Sequence, residues 1–413
     1  MENLEFENYQ NLKQQFTFKY KGFAMEHILA FFIWNLANAK RPPLRRLMFF
    51  FKSIDFTFLE DIEADYLMFS DDLRRDHSMT FNNISEKVVD RYKTINKSDG
   101  LTFLFHFSLV NIVNSIRLIF SNVSNLGFVY KLCAAGYLCF YINTINRLLS
   151  LKIKIPKRFV VYSAIHERQN LLVQYFRMRG SHVMGLSHGT NFIYKKNIQI
   201  DCINYENLDI DCLVWSQMVK EEYVKYGKKF DSLFVAGYPK KYNLKPIPQN
   251  GNVRKCIVLL SRKQFDSSNM RLINIISAYA NECSFAIKLH PSLDYAKYYE
   301  ICKKYNFQLI PQEILLTECM NSELYDFAIA VNTTSYYEIM IAGIPCLRFD
   351  DGDSYDLMNG IKEDSISSVA EFGNSLKWIK KCKESGEYEN LRKHILEYNL
   401  GVGVDFYRKI LLS

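Results

Sequence analysis

Two stretches decide how this chain is read: Phe327-Ala-Ile-Ala-Val-Asn332-Thr333-Thr334-Ser335-Tyr-Tyr-Glu338 and, before it, Phe285-Ala-Ile-Lys-Leu-His290-Pro291. Each opens on a short apolar run that reads as a buried parallel strand. Each closes on small, polar or basic residues, where a doubly wound sheet opens its ligand crevice at the carboxyl ends of its strands. Thr333, Thr334 and Ser335 fall at the start of a predicted helix. Unpaired backbone N–H groups and the helix dipole there favour an anion such as a phosphate. Glu338 follows one turn later, placed to accept hydrogen bonds from ribose hydroxyls, and the run leads into Ala342-Gly343-Ile344-Pro345.

Around these stretches the pattern alternates between strand and helix. After a break at Pro246-Ile-Pro-Gln-Asn-Gly251, Cys256-Ile-Val-Leu-Leu260 runs into Ser261-Arg262-Lys263. A helix is expected around 268–281, a strand at 284–289, a helix at 294–305 and a strand at 307–310. Next come a strand at 327–331, a helix at 335–342 and a strand at 344–349. Final helices are expected near 366–381 and 387–412, the last able to cross back to the first half. Upstream, from Pro156, Arg158–Ser163, His182–Ser187, Cys212–Trp215 and Leu233–Ala236 read as strands, with helices from Glu167 to Arg179 and from Ser216 to Gly227. Strands separated by helices argue for parallel sheets with right-handed crossovers. The expected architecture is therefore α/β: two Rossmann-like domains facing across a cleft, with a helix-rich N-terminal portion. The N-terminal domain is assigned to 1–245 (helix-rich 1–150, Rossmann-like core 156–240), the linker to 246–251 and the C-terminal domain to 252–413. Within 1–150 one strand is predicted, Asp65–Ser70, ending in the polar cluster Asp71-Asp72-Leu-Arg74-Arg75-Asp76-His77.

The bounds agree. A chain of 413 residues, 48% hydrophobic and 23% charged, has ample core for two domains. Its acidic, polar first residues are no signal peptide. The ten cysteines are scattered without a C-x-x-C pair, so neither a metal site nor a disulfide framework is expected, as suits a reducing compartment. The 52 basic residues are spread among 44 acidic ones, which argues against nucleic-acid binding. The segment Ala30–Lys52 sets Phe31, Phe32, Trp34 and Phe49–Phe51 beside Lys40, Arg41, Arg45, Arg46 and Lys52. It reads either as a contact with an anionic membrane or as a core helix with a basic exposed end. The apolar stretches near 101–121 and 127–142 carry His106, Asn111, Asn114, Arg117 and Lys131, so neither offers the ~20 uninterrupted apolar residues of a spanning helix.

His290-Pro291 followed by Thr334-Ser335, at strand ends of a two-Rossmann chain, resembles the GT-B glycosyltransferases of bacterial surface-polysaccharide synthesis. Among them it is similar to the sialyl, polysialyl and Kdo transferases, which use CMP-activated sugars. Ser187-His188-Gly189-Thr190 with Gly237-Tyr-Pro239 also resembles elements of the CDP-glycerol glycerophosphotransferases. The resemblance covers residues 156–350 and hardly touches 1–150. It implies transfer of a sugar, a nonulosonic or related acidic one, from a cytidine-nucleotide donor to a glycan or lipid-linked glycan acceptor in capsule or lipopolysaccharide synthesis.

The implied site follows. His290 contacts the nucleotide and Pro291 fixes its turn. Thr334 and Ser335 bind phosphate or the donor carboxylate, and Glu338 faces the ribose. Ser261 and Arg262 add charge against the leaving group, unless that loop is merely solvated. His188 is the leading catalytic base because an imidazole titrates near neutrality. Asp71 and Asp72 are the nearest match to a carboxylate base, or else a surface ion-pair cluster. His166, Glu167, Gly189 and Thr190 line the acceptor side. Asp351-Gly352-Asp353 reads as a turn, and catalysis is expected without metal or cofactor. The location implied is cytoplasmic, with peripheral contact on the inner face of the membrane as an option. A nucleotide-sugar epimerase and a non-catalytic nucleotide- or glycan-binding partner remain alternatives.

Overall fold

The computed structural model describes residues 4–72, 74–164, 166–189, 210–225, 229–320, 324–352 and 362–413. The chain forms two units, Met1–Lys240 with Val404–Ser413, and Lys241–Gly403. The division falls at Lys240, ahead of the expected linker. Pro246–Gly251 packs on the second unit: the Lys245 N–H donates to Ile341 O at 3.0 Å, and an added Cβ on Gly343 would meet Pro246 O at 2.7 Å. The last ten residues return to the first unit, where Tyr407 Oη donates to Gly237 O at 3.0 Å and Arg158 donates to Leu411 O at 2.6 Å. Gly237 is glycine for this reason. Its φ is +104°, and a Cβ would lie 1.8 Å from Val404 O.

In the first unit six strands make one parallel sheet: β1 (Tyr66–Ser70), β2 (Lys93–Asn96), β3 (Arg158–Tyr162), β4 (His182–Leu186), β5 (Asp211–Val214) and β6 (Leu233–Val235). Their spatial order is β6-β5-β4-β3-β1-β2. The chain leaves β1 toward β2 on one side and returns to β3 on the other, so the order reverses between β1 and β3. In the second unit β7 (Lys255–Leu259), β8 (Ser284–Lys288), β9 (Gln308–Leu309), β10 (Phe327–Ala330), β11 (Cys346–Phe349) and β12 (Ser365–Ile366) are again all parallel, in the order β9-β8-β7-β10-β11-β12. Here the reversal lies between β7 and β10. Central strands such as Phe159-Val160-Val161-Tyr162 and Phe327-Ala-Ile-Ala are buried on both faces, which is why they read as unbroken apolar runs. The architecture is α/β with two Rossmann-like units and a helix-rich N-terminal portion, as the alternation of strands and helices in the sequence implied.

The helix-rich N-terminal portion also carries the unforeseen strands Lys52–Ile54, Lys93–Asn96 and Phe103–Phe105, and of the two readings of Ala30–Lys52 the core helix holds for its first part. The helix foreseen over 387–412 ends at Ile395, passes through a wider turn at Leu396–Leu400 and breaks at Gly401 and Gly403, both at positive φ; a separate short helix, Tyr407–Leu412, follows. Ala30–Ala37 is a helix with Phe32, Ile33 and Trp34 buried, so that part of Ala30–Lys52 is core and not a membrane face. Arg46 is likewise turned inward, its guanidinium 4.2 Å from the Tyr137 ring centroid.

Phe128–Ser150 is the one helix among the described residues long and apolar enough to cross a membrane, and 72% of its apolar window is buried inside the protein. It is the core helix of the N-terminal portion, carrying Cys133, Leu138, Ile142 and Ile145 into the interior. The nine described cysteines are all buried, and no disulfide joins them.

Candidate active site

Reversal of strand order leaves a crevice outside the carboxyl ends of the flanking strands. In each unit the sequence-selected residues gather there. At the first reversal β1 delivers Asp71 and Asp72, β3 delivers Ser163 and His166, β4 delivers Ser187, His188 and Gly189, and the helix Arg75–Glu86 adds His77. Ser163 holds φ +58°, a left-handed conformation rare outside glycine, and its N–H donates to Leu186 O at 2.9 Å. The chain thereby turns sharply from β3 and sets the Ser163 hydroxyl 2.9 Å from His188 Nδ1.

Three imidazoles cluster at this point. The rings of His77 and His188 are 5.2 Å apart between centroids, those of His166 and His188 6.3 Å, and Phe31 stacks on His166 at 5.0 Å. His77 Nδ1 lies 2.6 Å from Asp72 Oδ2. Burial would raise Asp72, but the His77 hydrogen bond and the Arg74 N–H at 2.9 Å hold its carboxyl down to about 2. The carboxylate therefore accepts from Nδ1–H, and Nε2 is the ring nitrogen turned from Asp72. Burial, with the neighbouring His77 and His166, pushes His188 down to about 3. Burial, opposed by Asp72, pushes His166 down to about 4. Both rings are thus held neutral.

Asp71 has a different role. It is fully buried, 2.8 Å from Arg168 Nε and hydrogen-bonded by Gln169; burial raises it to about 6 despite Arg168. It ties β1 to the helix Glu167–Met178. Neither aspartate belongs to a surface ion-pair cluster, since Asp72 too is mostly buried and bound to His77; of that motif only Arg74 and Asp76 pair at the surface. Glu167 accepts hydrogen bonds from the hydroxyls of Tyr137 and Tyr141, the latter at 3.1 Å, so its carboxylate is held by the core helix. Gly189 has open space where a Cβ would stand, and its carbonyl accepts from Ser187 Oγ at 2.9 Å. Thr190 lies outside the described residues.

At the second reversal β7 ends in Ser261-Arg262-Lys263, β8 in His290-Pro291-Ser292 and β10 in Asn332-Thr333-Thr334. Ser261 is buried and spent on the frame: its hydroxyl donates to Asn332 O at 3.2 Å, and its N–H donates to Asn269 Oδ1. Asn332 holds φ +41° and donates to Asp351 Oδ2 at 3.0 Å, which also accepts from Ser268 Oγ at 2.7 Å. Asp351 is a structural tie, and Asp353 lies outside the described residues. Ser292 joins the other two strand ends. Its N–H donates to His290 Nδ1 at 3.1 Å and its hydroxyl accepts from the Lys263 N–H at 3.1 Å. With Nδ1 an acceptor, the His290 proton sits on Nε2. Partial burial and the nearby Arg262 charge lower that ring below its usual value.

Thr334 is the N-cap of Ser335–Ile341 but makes no side-chain cap bond; the Ser335 N–H turns instead to Thr333 Oγ1 at 3.3 Å. The helix has only seven residues, so its dipole contributes less to anion binding than the sequence suggested. Among the described residues no group of three or more His, Cys, Asp or Glu side chains is placed to hold a metal ion.

His77 and Ser163 are the site residues sequence reasoning missed. His77 stood at the end of the cluster quoted for Asp71 and Asp72, and its spacing from Asp72 carries no signature. Only the helix after β1 returns it to the carboxylate.

No protein-family model and no curated protein matches the sequence. Solved structures resemble the backbone. Against TarM the identity is 14%, covering 67% of this chain and 59% of that one, with a TM-score of 0.42. Against the lipopolysaccharide outer core galactosyltransferase WaaB the values are 14%, 84%, 97% and 0.46. Against a putative UDP-N-acetylglucosamine 2-epimerase from Listeria monocytogenes they are 14%, 85%, 96% and 0.48. The chain thus spans 59% of the length of TarM. Likeness at this level concerns the course of the backbone alone, and what the protein does is argued below from its side chains.

Proposed function

We propose that this chain is a glycosyltransferase of bacterial surface-glycan synthesis, taking a sugar from a cytidine-nucleotide donor to a glycan or lipid-linked glycan acceptor. The observation that carries the reading is the network at the second reversal. One serine, Ser292, holds His290 and the Ser261–Lys263 loop together at adjacent strand ends. His290 Nε2–H, Arg262 and Lys263 supply donors and positive charge for a departing phosphate, and Thr333, Thr334 and Ser335 supply hydroxyls on the neighbouring strand end. Glu338 serves the ribose. The donor is a CMP-linked acidic sugar, and neither a metal nor a resident cofactor takes part.

The first unit supplies the acceptor chemistry. Transfer needs a group that removes the proton of the acceptor hydroxyl as the new glycosidic bond forms and the nucleotide leaves. His77, oriented by Asp72, is that base: Nε2 takes the hydroxyl proton and the Asp72 carboxylate stabilises the resulting imidazolium. His188 is too weak a base in its buried place and positions the acceptor with Ser163 and His166.

The test is release of CMP from CMP-activated sugars with and without a glycan acceptor. Acceptor-dependent release supports the reading. Equal consumption without acceptor would point to an epimerase, and binding without turnover to a non-catalytic partner. Transfer of glycerol phosphate from CDP-glycerol would select the second resemblance, the one carried by Ser187-His188-Gly189.

A further inference from the structure

The helix Leu109–Asn122 is built inside out. Its inward stripe is Asn111, Ser115 and Ile119, while Leu109, Val110 and Val113 are 64%, 68% and 54% exposed. A surface helix of a globular protein shows the reverse pattern. The polar stripe is satisfied from within: Asn111 Nδ2 donates to Asn143 Oδ1 at 2.8 Å and Asn146 Nδ2 donates to Asn111 Oδ1 at 3.2 Å, both on the core helix Phe128–Ser150. Amide side chains gluing two helices, with apolar residues turned outward, is the arrangement of helices that face lipid.

The apolar surface continues beyond this helix. The strand Phe103–Phe105 pairs with Lys52–Ile54, and Phe51 stacks on both Phe105 and Phe107, with centroids 6.4 and 6.0 Å away. Phe105 is 81% exposed and Phe107 61%. Scattered exposed apolar residues are ordinary, but a contiguous aromatic and aliphatic face is not.

Its charge is one-sided. The two segments that carry it, residues 41–54 and 101–122, contain no Asp or Glu. Arg41, Arg45 and Arg117 on these segments are exposed. A second copy of the chain would bring the same cations face to face across a two-fold axis, so self-association is disfavoured. An anionic bilayer meets both features, the apolar side chains entering the headgroup boundary and the cations pairing with lipid phosphates.

We infer that the face formed by Phe51, Phe105, Phe107, Leu109, Val110 and Val113, flanked by Arg41 and Arg45, docks the first unit onto an anionic lipid surface. The inference rests on this surface and not on the transfer reaction, and its readout is partition, which a failed donor assignment leaves unchanged. It also moves the membrane contact away from Phe32 and Trp34, which are buried.

The experiment is co-sedimentation of the full chain with vesicles of phosphatidylglycerol and phosphatidylcholine, against phosphatidylcholine alone, over a salt series. The expected result is binding to the anionic vesicles at low salt, weakened as salt rises. Phe105→Ser with Phe107→Ser should reduce partition at least ~10-fold. Arg41→Gln with Arg45→Gln should reduce it about 5-fold per cation. Both doubles alter exposed side chains, and unchanged circular dichroism and Tm confirm that they fold. Absence of wild-type binding to anionic vesicles would overturn the inference, as would full binding by the Phe105/Phe107 double. A dimer in sedimentation velocity that the same double abolishes, with no vesicle binding, would overturn it in favour of a second copy.

Discussion

The two strand-order reversals are built from the same topology and filled with opposite chemistry. In the first unit the crevice holds packed histidines and aspartates whose protonation is strongly biased: Asp72 down to about 2, Asp71 up to about 6, and His188 and His166 down to about 3 and 4. In the second it holds hydroxyls, backbone amides and cations, and burial with the nearby Arg262 charge lowers His290. Groups whose environments push their pKa values apart mark a place where protons move. A crevice lined by hydrogen-bond donors and cations suits an anion. Under the proposed reading, proton transfer belongs to the first reversal and nucleotide binding to the second.

The largest effect expected falls on His77. His77→Ala should lower acceptor-dependent transfer by ~10²–10⁴-fold with nucleotide binding unchanged, as for loss of a general base. His188→Ala should cost less than His77→Ala in the same assay. The opposite ranking would return the base to His188 and dissolve the distinction drawn between the two rings.

Next is Asp72→Asn, which keeps shape but removes the carboxylate that fixes the His77 tautomer. About a 10²-fold loss of turnover with little change in KM is expected. A loss confined to KM would make Asp72 an acceptor-binding group instead.

A smaller effect concerns pH. His188 and His166 are neutral when folded but take protons near pH 6.5 when unfolded, so below pH 6.5 the unfolded chain binds more protons and stability falls. The loss continues until pH reaches about 4 and about 3. Asp71 acts the other way, holding its proton in the folded chain between 3.8 and about 6, so its contribution declines as pH rises through that window. Relative to a His166→Asn/His188→Asn double, the wild type should lose about 1.4 kcal/mol per pH unit per histidine from pH 6.5 down to about 4. Urea titrations at stepped pH read the difference. A constant gap between the two proteins would show that these rings are not held neutral, and the contrast between the crevices would weaken.

Much of this was legible in sequence because parallel strands buried on both faces must be continuously apolar. Phe327–Ala330 and Arg158–Tyr162 were foreseen nearly to the residue. The edge strand Lys93–Asn96 was not, since Lys-Thr-Ile-Asn carries no such run. The polar residues at β10, β8 and β4 ends were found because position along a strand predicts them. The Asp72–His77 pair was hidden because it depends on how one helix turns back over its own strand. The Ala30–Ala37 helix was left with two readings because hydrophobicity says that a side chain leaves water but not whether protein or lipid receives it; the structure selects protein. The reversed stripe Asn111, Ser115 and Ile119 had the regular i, i+4 spacing, yet only burial shows which side faces in.

The central claim is that the second unit holds a cytidine nucleotide through His290. The most direct measurement is thermal denaturation of the wild type and His290→Ala with CMP, CDP, UDP and GDP. The account predicts that CMP raises the wild-type midpoint, by mass action equivalent to about 2.7 kcal/mol at a hundredfold excess over Kd, and that UDP and GDP do not. His290→Ala should melt at one temperature with or without CMP, whatever its own unliganded midpoint. Stabilisation by UDP and not CMP, or an undiminished CMP shift in His290→Ala, would contradict it.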